Sequence, residues 1–396
     1  MEKKSFSLSN GMSVVFVSAK DSSVCLSVNV GHVNEPQTGL ANLFEKTLLM
    51  QVKGIEPVFG GTMTAYKAYG DDFADALEKV AQVFTATVVN EEFVQKAKDE
   101  IRKSTLDSAP MVMRRMKLEY KHVAFSSDKV VSTEEYLRRV DSYSVEDVRA
   151  FANTYYTARN VVLVVSGREL EFGRVKAMVK DLFSAIPQGN ALEKVKGDIY
   201  TGGFGRLDCS GEIVRLMFGF DVNHLTIDDS PAANVMMTMF WRRLERALAE
   251  AGIDAQVEFK IAGYYGLRTM RALIMATAEA KQLTEIFAAA VNRICDEDAT
   301  DERMERSRTA AMQEKLDKYD KADDTALEVA WQMIGRGHMY DPSDRIMNIG
   351  RVDAEAVRDI AGLVFRRSVP TYIVAIDPAA EVYSLDELKE MLGIEI

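Results

Sequence analysis

Cysteine is scarce in this chain. Cys25, Cys209 and Cys295 are the three among 396 residues, at wide and irregular spacing. They build neither a disulfide framework nor a CxxC motif, and a reducing compartment suits them best. Histidine is nearly as rare: His32, His122, His224 and His338 stand singly, and no two lie four residues apart. No helix therefore offers the His pair that grips one zinc ion. The longest apolar runs, such as VVLVV at 161–165, are strand-sized and far short of a membrane span. Positive charge is in deficit, with 49 Lys and Arg against 60 Asp and Glu and a net charge of −11. That balance excludes a nucleic-acid footprint and an affinity for anionic lipid. No P-loop, GxSxG elbow or nucleophilic-cysteine setting is present. The opening MEKKSFSLSNG has no apolar core of a signal peptide, so a cytoplasmic location is expected.

What remains is globular. Hydrophobic residues make up 47% and charged residues 28%, enough for a large core, and the length points to two or more domains. MSVVFVS (12–18) and VCLSVNV (24–30) read as neighbouring strands after turn residues. Thr38 is the expected cap of a helix beginning near Gly39, with Leu40, Leu43, Phe44 and Leu48 as its apolar face. Helical pattern runs from Asp72 to Val89 and again from Asn90, with Glu91 and Glu92 in the first turn. Ser132–Glu135 and Ser144–Asp147 have the form of capping boxes. Residues 161–166 are a buried strand, followed by a helix to Ala185. In the later part, strands are expected at 213–220, 255–262 and 267–276. A helix from Pro231 to Ala251 stops at Gly252, and further helices lie near 279–294, 301–320 and 322–335. Met236, Met237 and Met239, with Phe240 and Trp241, are expected in the core.

The chain repeats itself. SVEDVRAFANTYYTARNVVLVVSG (144–167) lies over DAEAVRDIAGLVFRRSVPTYIVAID (353–377), pairing Val148 with Val357, and AANV (232–235) lies over LANL (40–43). A repeat in matching order is a fold signature. Residues 188–206, polar and glycine-bearing, read as a linker, with GGFGR (202–206) as a turn and a weak phosphate-loop candidate. The expected fold class is α+β, with two homologous halves: 1–187, then the linker 188–206, then 207–396. Each half is expected to hold an antiparallel-type sheet packed with helices.

Several motifs now line up in order. LSNGMSVVFV is followed by NEPQTGLANLFEKTLLM, by GGTMTA (60–65), by Thr133-Glu134-Glu135, by NTYYTARNVVLVVSG and by RIMNIGRVDAEAVRDIA. Together they resemble the insulinase/pitrilysin-type zinc metallopeptidases, including mitochondrial processing peptidase subunits. The resemblance spans nearly the whole chain. It implies that the two halves face each other like a clam around a peptide chamber. It also implies an inverted zinc motif, HxxEH, in which two His on one helix face hold the metal and the Glu acts as general base on its water. A downstream Glu completes the ligands.

At those positions the chain departs from the family. Asn42 and Lys46 stand where the two His belong, Glu45 keeps the base position, and Glu100 falls at the third ligand, closer to Lys46 than the family spacing. The shortening falls after Ala65, where the family carries a strand beside its substrate-binding edge. An ammonium has no lone pair for a metal, and an amide oxygen is a poor zinc donor. The Lys46 cation can instead occupy the metal's space and pair with Glu45 or Glu100; the other reading is a solvated lysine. The family's second-half Arg and Tyr fall at Leu248 and Ala255, or at Ala249 and Gln256, and are lost in either register. The expectation is a non-catalytic homologue without cofactor, a pseudoenzyme that dimerises with a related peptidase subunit or with itself and helps to form a peptide chamber. Two alternatives are an endopeptidase with an unusual zinc site and a purely structural scaffold subunit.

Overall fold

The computed structural model describes residues 3–19, 21–32, 35–70, 72–107, 111–126, 130–168, 171–190, 199–264, 267–297, 299–320, 322–339 and 342–394. The first part of the chain forms β1 (Lys3–Ser7), β2 (Ser13–Ser18), β3 (Ser23–Val28), α1 (Leu40–Leu49), β4 (Glu56–Phe59), β5 (Thr64–Tyr69), α2 (Phe73–Thr85), α3 (Glu91–Asp107) and α4 (Met111–Ala124). Next come β6 (Phe125–Ser126), α5 (Thr133–Ser142), α6 (Val145–Tyr155), β7 (Val161–Gly167), α7 (Phe172–Phe183), β8 (Ile199–Tyr200), β9 (Gly203–Asp208) and β10 (Val214–Asp221). The remainder is α8 (Ser230–Glu250), β11 (Ala255–Tyr264), β12 (Leu267–Ala276), α9 (Ala280–Asp296), α10 (Asp301–Asp320), α11 (Ala322–Arg336), α12 (Pro342–Gly350), α13 (Ala354–Phe365), β13 (Thr371–Ile376) and α14 (Leu385–Leu392).

The class is α+β, and the repeat is real at the level of topology. The first sheet has the order β1-β2-β7-β3-β5-β4 and the second β11-β12-β10-β13-β9. Read from β2 and from β9, the two are the same. In each, a parallel pair (β2 with β7, β9 with β13) is followed by three antiparallel steps. Only β1, antiparallel to β2, is extra. The sheets are thus mixed rather than wholly antiparallel. The strands at 13–18 and 23–28 are not neighbours either, because β7 pairs with both and lies between them. Long-range pairing of that kind leaves no mark on local sequence pattern. Val148 and Val357 are buried at matching places in α6 and α13. Ser144 and Asp147 form a full capping box on α6, and Asp353 caps α13. Ser132 makes only the first half of its box, accepting the Glu135 N–H at 3.1 Å.

Both faces of the central strands are buried. Every residue of β3, β7 and β13 is buried, so each sheet needs a cover on each side. Under one face of the first sheet, Phe16, Leu26, Val28, Leu163 and Val165 pack with Leu43, Phe44 and Leu48 of α1, Val80 of α2 and Val148 of α6. On the other face Val15, Val17, Cys25, Val162 and Val164 meet Ala326, Val329 and Ala330 of α11. That helix comes from the second repeat. Reciprocally, Tyr120 of α4, from the first repeat, donates to Thr269 Oγ1 of β12 at 2.8 Å.

The compact units therefore differ from the contiguous halves 1–187 and 207–396. One comprises residues 1–108, 131–196 and 317–342, the other 109–130, 197–316 and 343–396. Close approach of the exchanged helices is achieved in two ways. In the first unit the helix is small where it touches the sheet, at Ala326 and Ala330. In the second the strands are small. A Cβ at Gly219 of β10 would lie 2.2 Å from the Tyr120 hydroxyl, and one at Gly205 of β9 2.9 Å from Glu119 Cγ. This also corrects the linker reading: GFGR (203–206) is strand β9, where glycine makes room for α4. Residues 191–198 lie outside the described residues.

A fragment of residues 1–196 lacks α11 and leaves Val15, Val17, Val162 and Val164 uncovered. It is expected to bind a hydrophobic dye and to show no cooperative thermal transition. Co-expression with residues 197–396 is expected to restore both; a cooperative transition in the lone fragment would show that the cover is dispensable.

Candidate functional site

Helix α1 begins where a glycine is required. Gly39 has φ 97°, and a Cβ there would lie 2.8 Å from Val140 Cγ2 of α5. The cap is not Thr38. The buried Glu35 carboxylate accepts the N–H groups of Gly39 and Ala41 at 2.8 and 2.7 Å, satisfying two orphan donors and placing negative charge at the helix's positive end. Thr38 serves through its carbonyl, which accepts the Tyr143 hydroxyl at 2.8 Å.

Asn42 and Lys46, four residues apart, diverge in their partners. Asn42 Nδ2 donates to the Tyr136 hydroxyl of α5 at 2.7 Å. Lys46 Nζ lies 2.9 Å from Glu100 Oε1 of α3, with Lys46 the less exposed of the two. The lysine thus pairs with the more distant of the two acids considered, and it brings Glu100 to α1. Glu45, 4% exposed, makes no hydrogen bond through its carboxylate among the described residues. Burial pushes its pKa up to about 7, and the Lys46 cation next to it pulls the other way. Tyr66 and Tyr156 share a 2.6 Å hydrogen bond in the same buried region. Burial holds both phenols well above their usual pKa, and the Glu45 charge adds to it. Tyr136 is pushed up to about 12, mainly by burial.

The ring of Tyr66, Tyr136 and Tyr156, and the cap Glu35, were not read from the sequence. The signal for Glu35 was an acid four residues before the helix-starting glycine. For the tyrosines no local signal existed.

The donor set does not fit zinc. Asn42 is bound through its amide nitrogen, Lys46 supplies a cation rather than a lone pair, and Glu100 is engaged by that cation. No group of three His, Cys, Asp or Glu suited to a metal ion occurs among the described residues. In the second unit Leu248 is buried in the core and Ala255 packs against it. Ala249 and Gln256, the other register, lie on α8 and β11. Met236, Met239 and Phe240 are core, as expected, but Trp241 is 43% exposed.

A family model described as Peptidase M16 inactive domain matches residues 142–311. Among solved structures, a chain of Complex III2 from Candida albicans, Inz-5 bound, superposes with a TM-score of 0.82 at 14% identity, covering 98% of this chain and 99% of that one. A protease from Helicobacter pylori superposes with a TM-score of 0.79 at 15% identity, covering 94% and 99%. The likeness to the M16 inactive domain belongs to residues 142–311, and α1 lies outside it. Compared by sequence with curated proteins, the chain matches none. The fold shared with these two solved chains extends over nearly their whole length and nearly the whole of this chain, α1 included. No helix among the described residues is long and apolar enough to cross a membrane.

The raised pKa of Glu45 has a consequence for stability. Because the folded chain holds this proton more tightly than the unfolded one, whose carboxyl has an ordinary value near 4.5, the stabilisation is complete below that value. It is lost as pH rises to about 7. Ionising the buried group at pH 8 opposes folding by about 3 kcal/mol. Glu45→Gln is therefore expected to raise the unfolding free energy at pH 8 by an amount of that order and to change it little at pH 4.5, measured by urea unfolding at both values. Equal effects at the two pH values would show that Glu45 titrates normally.

Proposed function

We propose that this protein is a non-catalytic M16-type subunit that binds no zinc, pairs with a related chain or with a second copy of itself, and contributes to a peptide-holding chamber. One observation carries the reading: the ion pair of Lys46 with Glu100. In the family the resemblance points to, a divalent cation would balance the ligand and base carboxylates; here the chain brings its own cation on the same helix. A fixed positive charge offsets neighbouring acids without activating a water molecule. Glu45 then persists as a base position without a metal-bound water to act on. Leu248 and Ala255 leave the second half without the polar pair that would hold a substrate's transition state. The three cysteines, none of them in a disulfide, support a reducing, cytoplasmic setting.

A purely structural role, without peptide binding, is the second reading. The likeness in fold to a chain of Complex III2 favours it, since that chain belongs to a complex.

Metal analysis of protein purified without chelators is expected to give far less than one zinc per chain, and peptide cleavage is expected to be absent. Stoichiometric zinc, with cleavage abolished in Glu45→Gln, would reverse the proposal. Restoring the two imidazoles in the double variant Asn42→His, Lys46→His is expected to yield no robust zinc-dependent peptidase, because the second-half pair is still missing; efficient cleavage by that variant alone would contradict this.

Pairing is tested separately. Native purification from the source cell, with mass spectrometry of co-purifying chains, is expected to yield a related chain with an intact HxxEH motif in equal amount, or a homodimer by light scattering. A monomer with no companion would sink the subunit reading. A stable partner with no measurable affinity for peptides would favour the scaffold over the chamber.

A further inference from the structure

The two sheets end differently at corresponding places. Strand β4 closes the first sheet and β11 the second. β4 has four residues and carries Pro57, and both features keep an open sheet edge from pairing with another chain. β11 has ten residues, Ala255–Tyr264, and no proline. It pairs with β12 in unbroken register, from Ala255 opposite Ala276 to Tyr264 opposite Leu267, without a bulge. Among the described residues no strand pairs with its other side. A long, regular edge of that kind presents a row of main-chain donors and acceptors to a further strand.

The side chains of β11 select the partner strand. On one face Ala255, Val257 and Phe259 pack against the core of the second unit, with the Phe259 ring 5.0 Å from that of Phe240 on α8. Ile261, next on that face, is 43% exposed. On the other face Gln256, Glu258 and Lys260 are exposed. Within the chain Lys260 Nζ lies 3.1 Å from Glu258 Oε2, and Arg271 Nη2 of β12 lies 3.8 Å from the same oxygen. When two identical strands pair antiparallel about a two-fold axis, each residue opposes the one equally far on the other side of the axis. An axis at Glu258 sets that acid against its own copy, and an axis at Lys260 sets two ammonium groups together. An axis at Phe259 sets Glu258 against Lys260 of the second strand, twice over, and lays Val257 beside Ile261. Opposite charges directly across a strand pair favour it, and like charges disfavour it.

We propose that β11 is the surface through which two copies of this chain associate, antiparallel and centred on Phe259, joining their second sheets into one continuous sheet. The proposal rests on the reading that the chain pairs. It takes a second copy as the partner because the charge pattern of β11 is complementary to itself. The seam consists of main-chain hydrogen bonds, the Glu258–Lys260 pair made twice between chains, and the contact of Val257 with Ile261 made twice. That contact covers the apolar Ile261 side chain, which a single chain leaves partly in water. The interface is isologous and closes at two chains, since neither β11 has an edge left once paired.

The test is the association state of the full-length chain, measured by analytical ultracentrifugation over a range of concentrations. The wild type is expected to dimerise. Lys260→Glu sets two acids against each other on each side of the axis and is expected to weaken the dimer by roughly tenfold or more. Glu258→Lys, which sets two cations together, is expected to act in the same direction. Both side chains are about half exposed, at 49% and 52%, so each variant is expected to keep the wild-type circular-dichroism spectrum.

Two further samples separate this register from a general effect of charge. The double variant Glu258→Lys, Lys260→Glu exchanges the two signs and is expected to dimerise as the wild type does. An equimolar mixture of the two single variants is expected to form a mixed dimer, because each then supplies the charge that the other lacks. The interface is overturned if the wild-type dimer survives both single changes at full strength; pairing itself then stands, through another surface. It is overturned as well if neither the double variant nor the mixture recovers the dimer. A wild-type chain that stays monomeric at every concentration also overturns it, and the co-purification experiment then decides separately whether a related chain is the partner.

Discussion

Strands that are apolar on both faces cannot end a protein's structure; each needs two covers. Most of what distinguishes this chain follows from that requirement. Own-repeat helices supply one cover in each unit: α1, α2, α6 and α7 in the first, α8, α9, α13 and α14 in the second. The other cover is exchanged, α11 going to the first sheet and α4 to the second. These two helices occupy the same place in the two repeats, each following two helices after the antiparallel strand pair and preceding two more. The exchange is therefore as symmetric as the duplication. It differs in the side chains that permit it, alanines on the helix in one unit and glycines on the strands in the other.

The duplication also shows how far the site has drifted. With LANL laid over AANV, Asn42 corresponds to Asn234, Glu45 to Met237 and Lys46 to Thr238. In α8 those places are filled by helix-internal bonding and packing: Asn234 Nδ2 donates to the Ser230 carbonyl at 2.7 Å and Thr238 to that of Asn234 at 3.0 Å. In α1 an acid remains buried and a lysine reaches out to another helix. A buried carboxyl that gains nothing from hydrogen bonds is disfavoured relative to Met, so its retention in one repeat and not the other sets the two helices apart.

Local chemistry made much of this legible. The β2, β3 and β7 runs, the capped helix before β7 and its copy before β13, and the proline-started α8 all carry their signals within a dozen residues. Helix α4 carries a weaker signal. MVMRRMKLEYKHVA is rich in charge, and its buried stripe of Met116, Tyr120 and Ala124 is thin, though four-residue spacing could have found it. The place of β7 between β2 and β3, the cap from Glu35 rather than Thr38, and the tyrosines around Glu45 depend on contacts between distant segments. So does the choice of Lys46 between two acids. The sequence offered both partners, and the packing of α1 on α3 selects Glu100, which stays half in water, over Glu45, which does not.

The exchanged α11 has one more consequence, in time rather than space. On a ribosome the chain emerges from its first residue onward, and domains made of contiguous sequence fold as they appear. Here the strands of the first sheet are all synthesised by residue 167, yet the helix that closes their second face ends at Arg336. Throughout the intervening synthesis Val15, Val17, Val162 and Val164 wait uncovered, while α4, made early, waits for a sheet that does not yet exist. The nascent chain must carry two half-dressed surfaces at once, and its commitment to the native state comes late. A chaperone that shields apolar strand faces would find its longest-lived substrate in that interval.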